Sequence, residues 1–160
     1  MDKKFEDQLN SFVDGHVCVM GIGNRHLHDD GVGSYVAEAL EAYPDFDVID
    51  AGFTPENCLE ALAGKHPDTI LMVDAIDFGG VPGELNLMYP DKVAYSGEHN
   101  HAGSLRMLAE YIQAMTKARV ALLAIQPADL SEGDSMTPLV SETLDDLAKT
   151  LPDICGHHLH

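Results

Sequence analysis

Three stretches of this chain are apolar at odd and even positions alike: "HVCVMGI" (16–22), "DTILMVDAID" (68–77) and "RVALLAIQP" (119–127). A strand with one face in water alternates apolar and polar residues, so runs of this kind belong to strands covered on both faces. Helical stretches lie between them. "VGSYVAEALEAY" (32–43) sets Val32, Val36, Ala39, Leu40 and Tyr43 on one face, and "PENCLEALAG" (55–64) carries Pro near its start and Gly at its end. "AGSLRMLAEYIQAMTKA" (102–118) and "PLVSETLDDLAKTL" (138–151) are further helices, "FDVIDAG" (46–52) is a strand, and "GELNLMY" (83–89) alternates as an edge strand does. The pattern predicts an α/β fold: a single domain over residues 1–160, with a mostly parallel twisted sheet of about five strands sandwiched by helices. Phe5, Leu9, Phe12 and Val13 recur at helical spacing and predict an amphipathic helix within residues 1–15. Residues 152–160, with His157, His158 and His160, read as a flexible tail.

Charge narrows the partners. The formal net charge is −18, and so acidic a surface repels phosphate backbones, which argues against nucleic-acid binding. No apolar run reaches membrane-spanning length, so membrane insertion is not expected. The start, "MDKKFEDQLNSFVDGH", lacks the apolar segment and cleavage site of a secretory signal. Cys18, Cys58 and Cys155 are odd in number and far apart. They suit a reducing cytoplasm better than a disulfide framework or a cysteine-based zinc site. A monomer is the default expectation.

In open α/β sheets ligands sit outside the carboxyl ends of the strands. Acidic or histidine-bearing loops fall there at residues 23–31, 74–82 and 89–102. Gly21 and Gly23 open a dinucleotide fingerprint, but His26 stands where its third glycine belongs. Asp29 and Asp30 then occupy the helix start, where they would repel a pyrophosphate. A P-loop fails as well, since His66 follows Gly64-Lys65 and Leu59 takes the place of its first glycine. No H-E-x-x-H or G-x-S-x-G occurs. What remains is a set of carboxylates (Asp29, Asp30, Asp74, Asp77) and imidazoles (His99, His101) at strand ends. Two carboxylates and one imidazole suit a divalent transition metal of intermediate softness.

Each of these residues also has a plain structural reading. Asp29 can be the N-cap of the helix it precedes, with Asp30 in the first turn, where the helix dipole favours a carboxylate by roughly 0.3–1 kcal/mol. Asp74 and Asp77 can satisfy loop N–H groups. The paired histidines of "SGEHNHAGS" can be solvated side chains.

Five ordered blocks, "GIGNRHLHDDGVG" (21–33), "DAGFTPEN" (50–57), "ILMVDAIDFGGVPGEL" (70–85), "EHNHAGS" (98–104) and "AIQP" (124–127), resemble the hydrogenase maturation endopeptidases. These proteases trim the precursor of the nickel–iron hydrogenase large subunit. The resemblance runs from about residue 17 to 150. It implies a twisted sheet sandwiched by helices and a metal-contacting set carried onto Asp30, Asp74 and His99, with His101 and Asp29 as second choices. It further implies that the metal is nickel already installed in the substrate, rather than a resident cofactor, and that the partner is the large-subunit precursor. On this reading Asp30→Asn or Asp74→Asn abolishes processing and leaves the fold intact, neither side chain needing a place in the core. Two other functions stay open at this stage. One is a different metal-dependent hydrolase on the same scaffold; the other is a non-catalytic chaperone that binds nickel or the precursor.

Overall fold

A computed structural model describes residues 1–93 and 102–156. Five strands form one sheet: β1 (Val17–Ile22), β2 (Asp47–Gly52), β3 (Thr69–Ala75), β4 (Leu85–Met88) and β5 (Arg119–Ile125). Their order is β2-β1-β3-β5-β4. The first three pairings are parallel, and β4 runs antiparallel to β5 at the edge. The mostly parallel α/β sheet expected from the apolar runs is therefore present. Its helices are α1 (Lys3–Phe12), α2 (Val32–Leu40), α3 (Leu59–Gly64), α4 (Ala102–Thr116) and α5 (Pro138–Gly156).

The strands are apolar on both faces because they feed two cores. Alternate side chains leave a strand on opposite sides. Val17 and Val19 of β1, with Leu71 and Val73 of β3, pack against Phe5, Leu9, Val36, Leu40, Leu147 and Leu151 of α1, α2 and α5. Cys18, Met20, Ile70 and Met72 face the other way, onto Leu62 of α3 and Leu105, Ala109 and Ile112 of α4. The N-terminal helix forms as its periodicity predicts, and the Asp2 carboxylate caps it by accepting the Phe5 N–H at 3.0 Å.

β1 and β3 run parallel, but the direction in which strands are added to the sheet reverses between them. From β1 the chain crosses through α2 to β2 on one side, then returns through α3 to β3 on the other. Right-handed crossovers in opposite directions put α2 and α3 on opposite faces and leave a crevice above the carboxyl ends of β1 and β3. Gly33 brings α2 down onto this point: a Cβ there would collide with the carbonyl oxygens of Ile22 and Val73.

Three local expectations are corrected. The closing helix does not stop at residue 151; it continues through Pro152 to Gly156, because Ile154 and Cys155 are buried in the core. Only residues 157–160 of the expected tail remain, and they lie outside the described residues. The stretch 55–64 opens as a 3₁₀ turn, Pro55–Cys58, before α3. Finally, β4 pairs Leu85 with Ile125 and Met88 with Leu122, so its carboxyl end points away from those of the other strands. Residues 94–101 of the connection that follows lie outside the described residues, and Ser104 and Leu105 near the start of α4 line the crevice. No described helix is long and apolar enough to cross a membrane.

Candidate active site

The loop after β1 is folded on its own backbone. Gly23 lies so close to the Asp30 carbonyl oxygen that any Cβ would collide with it. The Asn24 side chain accepts the His26 N–H at 3.0 Å, and the Leu27 N–H reaches the Asn24 carbonyl at 3.1 Å. A 3₁₀ turn over His28–Gly31 then leads into α2, and the Asp30 N–H donates to the Leu27 carbonyl at 3.0 Å.

Asp29 and Asp30 separate in this turn. Successive residues of a 3₁₀ helix point about 120° apart. Asp30 is half-buried, and its Oδ2 accepts the Asn24 N–H at 3.1 Å. It lines a cleft of about 660 Å³ together with Ile22, Leu27, Phe53, Leu105 and Leu108. Glu56 supplies a second carboxylate, and Phe53 and Met107 stand on the rim, 67% and 64% exposed.

Asp29 is fully buried and turns elsewhere. Its Oδ2 accepts the N–H groups of Ala128 at 2.8 Å and Asp129 at 3.0 Å. Its Oδ1 accepts the Thr137 N–H at 2.7 Å, and the Thr137 hydroxyl donates to the same carboxylate. The expectation that Asp29 caps α2 is thus replaced. Its carboxylate anchors the segment leading into α5, where Thr137 is the residue before the helix. With both oxygens filled by protein donors, Asp29 does not offer itself to a metal in the cleft.

Asp74 is the penultimate residue of β3 and is fully buried. The expectation that it lies outside the core is corrected on this point. Alternation along β3 sends it to the same face as Ile70 and Met72, the face covered by α4. Leu105 and Leu108 of α4 line the cleft on that side. The Asp74 Oδ1 accepts the N–H of Ala75 at 2.8 Å. Asp30 and Asp74 therefore sit on one side of the switch point, and the turn bearing Asp30 packs on β3 itself. His99 and His101 lie outside the described residues, and among the described residues no three metal-binding side chains converge.

Two organising residues escaped sequence reasoning. Gln126 is buried at the end of β5; its Oε1 accepts from Phe78 N at 2.9 Å and Gly80 N at 3.0 Å, and its Nε2 donates to Asp77 Oδ1 at 3.0 Å. It shapes the loop that follows Asp74, and Asp77 is part of that scaffold. Arg25 donates from Nε to Ser34 Oγ at 2.9 Å and from Nη1 to Glu38 at 2.9 Å, and its Nη2 lies 3.3 Å from Asp50 Oδ2. Its guanidinium stacks over Tyr35, pinning the first loop to α2. The "AIQP" block and the Asp of "DAGFTPEN" were signals for these residues, but their partners are visible only in three dimensions.

Fold and site together define a doubly wound α/β protein with two carboxylates near its switch point, Asp30 lining an apolar cleft and Asp74 buried at the end of β3. The family described as HycI, hydrogenase maturation protease, matches residues 32–154. The hydrogenase 3 maturation protease of Escherichia coli K12 is 41% identical over 75 residues, 46% of this chain; the chain spans about half of that relative, 48% of its length. The hydrogenase expression/formation protein HupD of Rhodobacter capsulatus is 30% identical over 148 residues, 86% of this chain and 70% of HupD. The crystal structure of a NiFe hydrogenase maturation protease, HycI from Thermococcus kodakarensis KOD1, superposes with a TM-score of 0.81 at 30% identity. It covers 96% of this chain and 99% of that one. This chain belongs to the hydrogenase maturation protease family.

Proposed function

We propose that this protein is an endopeptidase that removes the C-terminal extension of a nickel-loaded nickel–iron hydrogenase large-subunit precursor. The observation that carries the reading is the placement of Asp30 and Asp74 on one side of the switch point, with Asp30 in the wall of an apolar cleft. Nickel arrives as part of the substrate and is gripped by Asp30, Asp74 and His99, the histidine assigned by the family resemblance alone. The cleft between Phe53 and Met107 receives the segment around the scissile bond.

The chemistry follows from the carboxylates. Asp30 Oδ2 is engaged by the Asn24 N–H. Its Oδ1 receives no hydrogen bond among the described residues and is available to substrate. Nickel brought in by the substrate and held there would polarise the scissile carbonyl or a water, and a carboxylate that takes the water's proton would add roughly 10²–10⁴-fold in rate. The net charge of −18 favours approach of a basic extension. Three free thiols fit a reducing cytoplasm, and a monomer leaves the cleft open to the precursor.

The test is to incubate the protein with its nickel-loaded precursor and follow the precursor's mass. Release of a C-terminal fragment supports an endopeptidase. Stable binding without mass loss moves the reading to a chaperone.

A further inference from the structure

Asp29 is a fully buried carboxylate with both oxygens hydrogen-bonded, and nothing in the proposed chemistry uses it. It gathers the N–H groups of Ala128, Asp129 and Thr137 and the Thr137 hydroxyl. Its own N–H donates to the Asp129 carbonyl at 3.0 Å. The neighbouring backbone is tied to the same segment: the His28 N–H donates to the Gly133 carbonyl and the Gly133 N–H to the His26 carbonyl, both at 2.8 Å. His28, held at φ +45, donates from Nδ1 to the Ser135 carbonyl oxygen at 2.6 Å.

One face of the His28–Gly31 turn is therefore fixed to residues 128–137, and the adjacent residue of that turn is Asp30. In a 3₁₀ turn the direction of one side chain sets that of the next. By contrast, the Asp30 carboxylate itself is held only by the Asn24 N–H among the described residues. So weak a direct hold leaves its aim to the backbone that carries it. We propose that Asp29 is a positioning residue: clamped by Thr137 and its neighbours, it fixes the turn that points Asp30 into the cleft. This rests on the reading of Asp30 as a residue that contacts substrate.

Two measurements separate the clamp from the proposed function. In the protein without substrate, hydrogen exchange of the Asn24 amide reports the Asn24–Asp30 bond. Asp29→Asn should speed that exchange about tenfold or more while the sheet amides keep their protection. On nickel-loaded precursor, the same variant should lose about 10²-fold in kcat with KM unchanged, as misaimed groups do. Should Asp29→Asn fail to fold, Thr137→Val decides, since it removes one donor and keeps the backbone N–H. It should lower kcat about tenfold, and Thr137→Ser should restore it. A folded Asp29→Asn or Thr137→Val protein with normal Asn24 exchange and normal kcat overturns the proposal. If wild-type protein leaves the precursor uncut, the proposed function fails, and Asn24 exchange alone judges the clamp.

Discussion

The Gln126 side chain and Asp77 are joined across 49 residues of sequence, Nε2 donating to Oδ1 at 3.0 Å, while the same amide's oxygen holds the N–H groups of Phe78 and Gly80. One buried amide thus closes the loop that leaves β3 after Ala75, one residue past Asp74. Gln126→Ala orphans two backbone donors, and leaving a buried donor unpaired costs about 1–3 kcal/mol. Urea unfolding should show that loss, with faster exchange of the amides at residues 78 and 80 before any global change.

Asp74 is buried and Asp30 half-buried, so their isosteric amides test function apart from folding. Asp30→Asn and Asp74→Asn should each abolish precursor processing while thermal melting stays within a few degrees of wild type, because an amide costs less to bury than a carboxylate. A melting temperature lowered as far as that of a core truncation would assign these carboxylates to the fold instead.

How much of this was written in the sequence depends on the range of the interaction. β1, β3 and β5 were legible because a strand buried on both faces has no reason to alternate. Asp30 and Asp74 stood out as candidates because Asp74 lies at the end of β3 and Asp30 in the loop that follows β1, where ligands of such sheets sit. Asp29 was misjudged because helix capping is a local rule, whereas its partner Thr137 lies 108 residues away. The end of α5 was misjudged for a similar reason. Pro152 argues locally for a break, but burial of Ile154 and Cys155 carries the helix past it. Gln126 stood in a recognisable block, yet a glutamine's role depends on which loop folds over it.

The cleft rim offers a separation of binding from catalysis. Phe53 and Met107 are largely exposed, so replacing them removes little packing from the fold. Phe53→Asp and Met107→Asp should raise KM for the precursor, with kcat and unfolding free energy nearly unchanged, because uniform binding is lost. Steady-state kinetics at fixed nickel loading check this.

Gly33 is the contact by which α2 reaches the switch point. Gly33→Ala places a methyl against the Ile22 and Val73 carbonyl oxygens, both backbone atoms that cannot move aside. Overpacking of this kind costs about 1–3 kcal/mol or more. Denaturant unfolding should show a loss in that range, together with impaired processing as Asp30 shifts with its turn.

Burial pushes the thiols of Cys18 and Cys155 up from the ordinary 9.0 to about 12. An unfolded chain releases these protons first, so their contribution to stability is complete below pH 9 and is lost as pH rises from 9 toward 12. The slope is about 1.4 kcal/mol per pH unit for each thiol. Urea unfolding across that window should show the decline, shallower in Cys155→Ala; identical slopes in both proteins would count against it.

The most direct test compares precursor loaded with nickel and precursor without it, incubated in parallel with wild-type protein and followed by mass spectrometry. The account predicts release of a C-terminal fragment from the loaded precursor alone. Equal cleavage of both forms, or intact precursor in both despite binding, would contradict it.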